Sequence, residues 1–232
     1  MKTMYYQIIV IFFLISFNTN AGVIINDSAT FEWGYDFEGP LEGYFTGELD
    51  YQTITFGENF IGQTVNDGGV FETLSELNAS SLSLQTNSIS SDNLGLFWAH
   101  GQKGIYGGNN NDAGTGSIAI LLKNTADIFQ FSLFDGDFGD FTINFYSDKA
   151  DLIGSYTQTA IDSALYGYRV ESGERIAGVT ITNNDAGGMG ISFVQEYQIE
   201  KVPEPHSALL FCLSLAMLLR VNTQKKANKA IK

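Results

Sequence analysis

The sequence predicts an all-β fold, an antiparallel β-sandwich or jelly roll, flanked by an N-terminal signal helix and a C-terminal transmembrane helix. Composition provides two of the observations: the 232 residues include 18 Phe and 11 Tyr, which favour strands, and 25 Gly with only three Pro, which suits a chain rich in turns. The third is a repeated alternation of apolar and polar residues, which gives a strand one apolar face. A chain of this length is sufficient for one domain with a well-buried core.

Seven segments in the second half of the chain have the length of strands; the first is a continuous apolar run, and the others alternate apolar and polar residues. They are 117–124 (SIAILLKN), 128–134 (IFQFSLF), 141–147 (FTINFYS), 151–158 (DLIGSYTQ), 164–171 (ALYGYRVE), 175–183 (RIAGVTITN) and 190–199 (GISFVQEYQI). Gly, Asp and Asn between them are typical of turns. Many short strands joined by turns predict a sandwich. One further segment, residues 73–86 (TLSELNASSLSLQT), allows a short helix.

The first 21 residues have the three parts of a secretory signal peptide. Lys2 provides the positive start, residues 5–17 form a short apolar stretch, and the small residue Ala21 precedes Gly22. We therefore expect signal peptidase to cleave between Ala21 and Gly22 and the body, residues 22–200, to be exported. The short apolar stretch and the small residues at its end argue against an uncleaved anchor.

The last segment, residues 201–232, combines a proline motif, an apolar run and a basic end. Val202-Pro203-Glu204-Pro205 precede the apolar residues 207–219, and lysines follow. The motif is expected to be extended, because proline and the residue before it avoid the α conformation. The apolar run spans about 20 Å as a helix, and with its flanking residues it becomes a marginal span of a core of about 30 Å. The lysines are expected to stay on the cytoplasmic side.

This tail resembles the PEP-CTERM sorting signal of Gram-negative bacteria, over the stretch VPEPHSALLFCLSLAMLLR, residues 202–220. The resemblance implies a membrane-embedded exosortase as partner, with Val202, Pro203, Glu204 and Pro205 as the sorting and cleavage motif. It also implies a host that makes exopolysaccharide. The precursor is then expected to be held transiently in the inner membrane by its C-terminal helix, and the processed protein to reach the cell surface or the extracellular space.

The body is also similar to a β-sandwich type that is common among PEP-CTERM proteins. The similarity lies in Phe37-Glu38-Gly39, in Gly139-Asp140 at the end of a hairpin, and in a closing strand just before the sorting signal. These short matches favour the sandwich and imply no particular activity.

The charge of the body excludes several classes of partner. Residues 22–200 contain 25 Asp and Glu but five Lys and Arg, a net charge of −20, whereas residues 201–232 carry +5. Nucleic acids and anionic lipids are therefore poor partners, while divalent cations and neutral polymers remain. The single cysteine, Cys212, lies in the apolar run, so the body has no thiol nucleophile and no cysteine metal site.

The segment FDGDFGDF, residues 134–141, brings Asp135, Asp137 and Asp140 close together in the sequence. Calcium binds several oxygen ligands at once, so these carboxylates are the candidate metal site and calcium is the candidate cofactor. The spacing differs from that of an EF-hand loop. The alternative is a plain hairpin turn, in which Asp and Gly are the usual residues.

A second candidate site lies in GLFWAHGQKGIYGGNNND, residues 95–112, which gathers Trp98, His100 and Tyr106 among amide side chains. Flat aromatic faces beside amides and carboxylates suit sugars, so these three are candidate ligand-binding residues. The alternative is that Trp98 packs in the core beside a polar His100, because aromatic residues in strands normally pack. An exposed Trp98 favours binding, and a buried one favours a scaffold.

Catalysis has little support in the sequence. His100 is the only histidine outside the C-terminal segment, no serine lies in a nucleophile elbow, and phosphate-loop and zinc spacings are absent. We therefore expect a non-catalytic exported protein of the cell surface or extracellular polysaccharide matrix, with exopolysaccharide as a candidate partner. The alternatives are a carbohydrate-binding, lectin-like module and a glycan-active enzyme with two carboxylates facing each other across a cleft.

Overall fold

The computed structural model describes residues 23–25, 37, 42–67, 71–86, 94–99, 102–109, 112–134, 139–161, 164–170 and 174–198. The pattern of backbone contacts divides the chain into two units, Met1–Gln198 and Ile199–Lys232, and every described residue belongs to the first. The helices expected within residues 1–21 and 201–232 lie outside the described residues. Within the described ranges, no helix has the length and apolar character of a membrane span.

The regular secondary structure of the described residues consists of strands, without a helix. In chain order the strands are β1 (Val23–Ile25), β2 (Gly43–Tyr44), β3 (Leu49–Tyr51), β4 (Ile54–Gly57), β5 (Asn59–Phe60), β6 (Val65–Asp67), β7 (Glu72–Leu74), β8 (Leu84–Gln85), β9 (Gly95–Ala99), β10 (Gln102–Tyr106), β11 (Gly108–Asn109), β12 (Asp112–Ala113), β13 (Ile118–Ala126), β14 (Ile128–Phe134), β15 (Asp140–Tyr146), β16 (Leu152–Thr159), β17 (Leu165–Val170), β18 (Ile176–Asn183) and β19 (Gly190–Tyr197).

Two large sheets contain most of these strands. Sheet 1 has the order β1-β17-β14-β19-β10-β9-β2, and sheet 2 has the order β16-β15-β18-β13-β4-β3. Every pairing in both sheets is antiparallel. The remaining strands form two-stranded ribbons, β5 with β8, β6 with β7, and β11 with β12. The prediction of an all-β fold built from antiparallel strands is confirmed for the described residues.

The seven strands predicted from one apolar run and six alternating segments correspond to β13 to β19, with ends that differ by at most two residues. The short helix allowed for residues 73–86 is wrong, because β7 and β8 occupy its two ends and no helix lies between them. Leu77 and Leu82 instead pack on the outer face of sheet 2. Their burial outweighs the weak helical preference of a segment rich in Ser and Asn.

The two sheets pack face to face around an aromatic core. The ring centroid of Phe131 in sheet 1 lies 5.9 Å from that of Phe141 in sheet 2, and Phe145 and Tyr168 approach to 4.9 Å across the same boundary. All four side chains are buried. Burying one such side chain contributes roughly 1.5–3 kcal/mol, so the core holds the layers together without a disulfide.

Residues 59–67 and 71–86 contribute side chains that cover part of the outer face of sheet 2. Phe60 and Leu84 of this cover form a second, smaller core with Tyr146 of β15. The side-chain amide of Gln63 donates a hydrogen bond of 3.1 Å to the hydroxyl of Tyr146. Burial raises the pKa of Tyr146. Apolar contacts and one side-chain hydrogen bond therefore hold this segment against sheet 2.

The edges of the two sheets differ in length. Sheet 1 ends in β1 and β2, which have three and two residues, and sheet 2 ends in the three-residue β3 and the eight-residue β16. β16 contains no charged residue, and Gly154–Thr159 pair regularly with β15 before a register shift near Leu152. Short edge strands limit pairing with other chains. Among the described strands, β16 is the one long strand at an edge.

Candidate functional site

Trp98 lies near the end of β9, directly opposite Lys103 of β10. The Lys103 ammonium nitrogen is 5.8 Å from the centre of the indole ring, within the range of a cation–π contact. The indole is 51% exposed, although Leu96, two residues earlier and on the same face of the strand, is buried in the core. Of the two arrangements considered for Trp98, the structure has the exposed one, which favours binding.

Tyr106 does not share a surface with Trp98. It lies three residues after Lys103 along β10, so its side chain points to the opposite face of sheet 1. Tyr106 is 4% exposed, and its ring rests over Gly190, where an added Cβ would lie 2.9 Å from the ring. It is therefore a packing residue rather than a second platform beside Trp98. His100, the third residue of this predicted site, lies outside the described residues.

Three aromatic rings line up on the outer face of sheet 1, away from the core. The ring centroids of Tyr44 and Phe97 are 5.1 Å apart, and those of Phe97 and Tyr106 are 6.1 Å apart. The Phe97 ring lies on Gly95, where an added Cβ would be 2.1 Å away. Sequence reasoning missed this cluster. The signal that could have revealed it is Gly95, two residues before Phe97 on the same strand, because a glycine leaves room for the ring.

One of the three aspartates predicted to bind calcium is among the described residues. Asp140 begins β15 and is exposed. Its backbone N–H donates to Oδ1 of Asn184 over 2.5 Å, and its carbonyl accepts from the Asn184 N–H over 2.9 Å. Asp135 and Asp137 lie outside the described residues. Among the described side chains, no three from His, Cys, Asp and Glu are close enough to hold a metal ion. The calcium site stays a prediction.

Side-chain hydrogen bonds stabilise the loop after β18, which lies beside the start of β15. The Asn183 amide donates to the carbonyl of Gly114 over 2.7 Å, and the Gly187 N–H donates to Oδ1 of Asp185 over 2.9 Å. The second of these bonds is an Asx turn, which is expected of Asp in a loop. Asp185 is fully buried, and Gly139 packs so closely on it that an added Cβ would lie 2.5 Å from its Cα. These carboxylate and amide groups organise the loop.

A groove of about 420 Å³ lies on the outer face of sheet 2, between β15, β16 and the segment that follows β7. It presents the amide of Asn144, the hydroxyl of Ser155 and the carboxylate of Glu76, beside Leu152, which is 56% exposed. Polar groups of these kinds next to an apolar surface suit a ligand rich in hydroxyl groups. Sequence reasoning missed the groove, because its walls come from distant segments and polar residues on a strand indicate only an exposed face.

A second cleft, of about 270 Å³, opens at the side of the sandwich near the end of β16 and the start of β17. Ile161 and Leu165 line it and are 60% and 48% exposed. The Tyr166 hydroxyl donates to the Thr159 carbonyl over 3.1 Å, and burial raises the pKa of the adjacent Tyr168. Among the described residues that line them, the groove has one carboxylate, that of Glu76, and the cleft has none.

Glu196 of β19 connects the two sheets. One of its carboxylate oxygens accepts a hydrogen bond from the hydroxyl of Thr53, in the turn between β3 and β4. The other oxygen, Oε2, is buried without a hydrogen-bond partner among the described residues. Burial raises the pKa of Glu196 by more than the Thr53 hydrogen bond lowers it. This carboxyl group therefore holds its proton more tightly than a surface carboxyl does.

Comparison with protein-family models, with curated proteins and with solved structures gives no match.

Proposed function

We propose that this chain is an exported, non-catalytic β-sandwich protein of the cell surface or the extracellular polysaccharide matrix. It is made with a signal peptide, residues 1–21, and a PEP-CTERM sorting signal, residues 201–232. Signal peptidase removes the first, and an exosortase cleaves the second at the motif Val202–Pro205. Between the two cuts, the C-terminal helix holds the precursor in the inner membrane.

The position of the motif relative to the last strand supports this proposal. β19 ends at Tyr197, and Val202-Pro203-Glu204-Pro205 follow after four residues. β19 has a neighbour on each side in sheet 1, so a cut at the motif removes none of the described strands. Cleavage there releases a body whose two sheets are complete.

The proposal is tested by changing both Pro203 and Pro205 to Ala in the native host. Alanine lets the apolar helix extend upstream, which removes the extended motif. We expect the unmodified chain to be shortened and released or transferred, and the variant to be exported but to stay longer and membrane-bound. Immunoblots of fractionated cells measure size and location together. Identical bands for the two proteins would mean that the prolines are not recognised and that the tail is a plain membrane anchor.

A host without exosortase provides the matched control for this experiment. We expect even the unmodified chain to stay uncut and membrane-bound there. Mass spectrometry of the mature protein from the native host then gives both new termini, one at Gly22 and one near Pro205. Shortening in the host without exosortase would show general proteolysis in place of sorting.

A carbohydrate-binding module is the second candidate function, and the exposure of Trp98 favours it. An indole that is 51% exposed offers a flat face on which the apolar side of a sugar ring can stack. Because the body carries a charge of −20, a neutral glycan suits it better than an anionic one. This candidate rests on Trp98 and Lys103, and Tyr106 contributes only packing.

Electrophoresis of the native protein through gels that contain neutral polysaccharides tests this second candidate. We expect the polysaccharide to retard the unmodified chain and to retard Trp98→Ala much less. Ile61→Ala, which truncates another exposed apolar residue, is the control and should migrate like the unmodified chain. Asn144→Ala tests the groove of sheet 2 in the same gels. Equal mobility of all four proteins with and without polysaccharide would contradict glycan binding.

A further inference from the structure

We propose that the groove on the outer face of sheet 2 binds an oligosaccharide with free amino groups, and that the carboxylate of Glu76 pairs with one of its ammonium groups. The groove lies between β15, β16 and residues 74–77. Its volume of about 420 Å³ falls within the range of roughly 300–1,000 Å³ that is usual for small-ligand sites. The inference goes beyond the functions proposed above, because it concerns a site away from Trp98 and depends on neither export nor sorting.

The register of β15 and β16 gives the groove a polar half and an apolar half. Asn144 lies directly opposite Ser155, and Tyr146 lies opposite Leu152. Residues opposite each other in an antiparallel pair share a face of the sheet, and this face is the outer one, because Phe145, between Asn144 and Tyr146, is buried in the core. A sugar ring has the same two kinds of surface, since its C–H groups are apolar and its hydroxyl groups are polar. The ring can therefore pack on Leu152 while its hydroxyl groups reach Asn144 and Ser155.

Gln63 holds the third wall of the groove in position. Its amide nitrogen donates to the Tyr146 hydroxyl over 3.1 Å and to the Ser75 carbonyl over 3.4 Å. Its amide oxygen accepts a hydrogen bond of 2.9 Å from the Phe60 N–H. Gln63 is buried, so these bonds are shielded from water. Glu76, the next residue after Ser75, is thereby placed beside the sheet before a ligand arrives, which lowers the cost of ordering the site.

The polar side chains of the groove have hydrogen-bonding capacity to spare. Among the described residues, neither the Glu76 carboxylate nor the Ser155 hydroxyl has a hydrogen-bond partner, and the Asn144 amide makes one long bond, of 3.5 Å, to the Thr180 hydroxyl. An amide or a hydroxyl can donate or accept, so Asn144 and Ser155 suit the hydroxyl groups of a sugar. A carboxylate only accepts and carries a charge, so Glu76 suits an ammonium group.

The charge around the groove favours a cationic sugar over a neutral or an anionic one. Glu76 is the one charged side chain among the described residues that line the groove. The adjoining turn between β15 and β16, residues 147–151, contains two acids and one lysine, and the whole body carries −20. An ammonium group is therefore attracted, and a sugar acid is repelled. A simple polyamine would pair with Glu76 but leave Asn144 and Ser155 without a partner, so the amino sugar fits better.

Calorimetric titration of the full chain in a mild detergent, at slightly acidic pH, tests the proposal. The probes are a glucosamine trisaccharide and its N-acetylated counterpart, which has the same rings and linkages without the charge. We expect the first to bind about tenfold more tightly, and this advantage to shrink as salt is added. Glu76→Gln should remove the advantage. Glu48→Gln makes the same change at an exposed residue beside β3, at the opposite edge of sheet 2, and should leave binding unchanged.

Two further variants and one further probe locate the sugar. Asn144→Ala should weaken binding about fivefold, through loss of a neutral hydrogen bond, and Trp98→Ala should not weaken it. Spermidine, a polyamine without a sugar ring, should bind more weakly than the glucosamine trisaccharide. Absence of binding overturns the proposal, as does equal affinity for the two trisaccharides or for spermidine. Equal losses in Glu76→Gln and Glu48→Gln would show general attraction to an acidic body, and a loss in Trp98→Ala alone would place the sugar at the indole. Either result also overturns it.

Discussion

Arg175 and Asp127 form a two-bond ion pair, with Nε 3.4 Å from Oδ1 and Nη2 3.1 Å from Oδ2. Asp127 lies in the turn between β13 and β14, and Arg175 immediately precedes β18. Because β13 belongs to sheet 2 and β14 to sheet 1, the pair fixes the chain where it crosses between layers. The two side chains are 36% and 14% exposed, so solvent screens the pair only in part.

Arg175→Gln should therefore lower the free energy of unfolding by about 1 kcal/mol, because the mostly buried carboxylate of Asp127 loses a charged partner. Lys123→Gln is the matched control, since Lys123 lies 2.6 Å from Asp50 in an exposed pair. We expect this second change to be much smaller and to vanish in high salt. Urea unfolding measures both. Equal effects of the two substitutions would contradict the special position of Asp127.

Glu196→Gln should change how stability depends on pH. The folded pKa of Glu196 is raised above the ordinary value of 4.5, so the folded state binds the proton more tightly. The resulting stabilisation is complete below the unfolded pKa and is lost as the pH rises through the folded pKa. Glutamine stays neutral throughout. We expect the stability of the variant, relative to the unmodified chain, to increase as the pH rises from acid to neutral.

Urea unfolding at a series of pH values measures this difference. Subtracting the two curves removes the pH dependence that both proteins share. A difference that stays constant with pH would show that Glu196 titrates like a surface carboxyl.

Gly114→Ala and Gly47→Ala separate backbone strain from close packing. Both glycines have positive φ, +90° and +102°, so alanine at either costs roughly 1–2 kcal/mol in backbone conformation. An added Cβ at Gly47 meets nothing within 4 Å, whereas at Gly114 it would lie 2.5 Å from the Met189 nitrogen. We expect Gly114→Ala to cost about 2–5 kcal/mol in all. Urea or thermal unfolding measures the loss of stability in each variant. Equal losses for Gly114→Ala and Gly47→Ala would argue against the close approach at Gly114.

Calcium should raise the melting temperature of the body if Asp135, Asp137 and Asp140 share one ion. Without the ion, the three carboxylates repel each other, and binding to the folded state alone stabilises it. Melts with calcium and with a chelator should therefore differ, and Asp137→Ala should abolish the difference. Asp148→Ala, in the next turn of the chain, should keep it. Superimposable melts of the unmodified protein would reject the site.

The longer strands could be predicted because their alternation is clear. In β15, Phe141, Ile143 and Phe145 are buried while Thr142 and Asn144 are only partly buried. Short strands such as β2, β5 and β8 have two residues each, too few to show a period, and tertiary packing decides them.

The exposure of Trp98 could not be predicted from alternation, because Leu96 lies on the same face of β9 and is buried. What separates them is the position of Trp98 near the tip of a hairpin. The groove of sheet 2 and the bond from Thr53 to Glu196 were also beyond sequence reasoning. Each joins residues far apart in the chain, and only the order of strands in the sheets brings them together.

The place of β19 in sheet 1 has a consequence for how the body is made. β19 is the last of the described strands, yet it lies between β10 and β14. Synthesis proceeds from the N-terminus, so those two strands exist long before the one that separates them. Until β19 arrives, one layer cannot close, and pairing between distant segments is slow in any case. Sheet 1 of the nascent chain can therefore be completed only after residues 190–197 have been made, whereas every strand of sheet 2 is made before them.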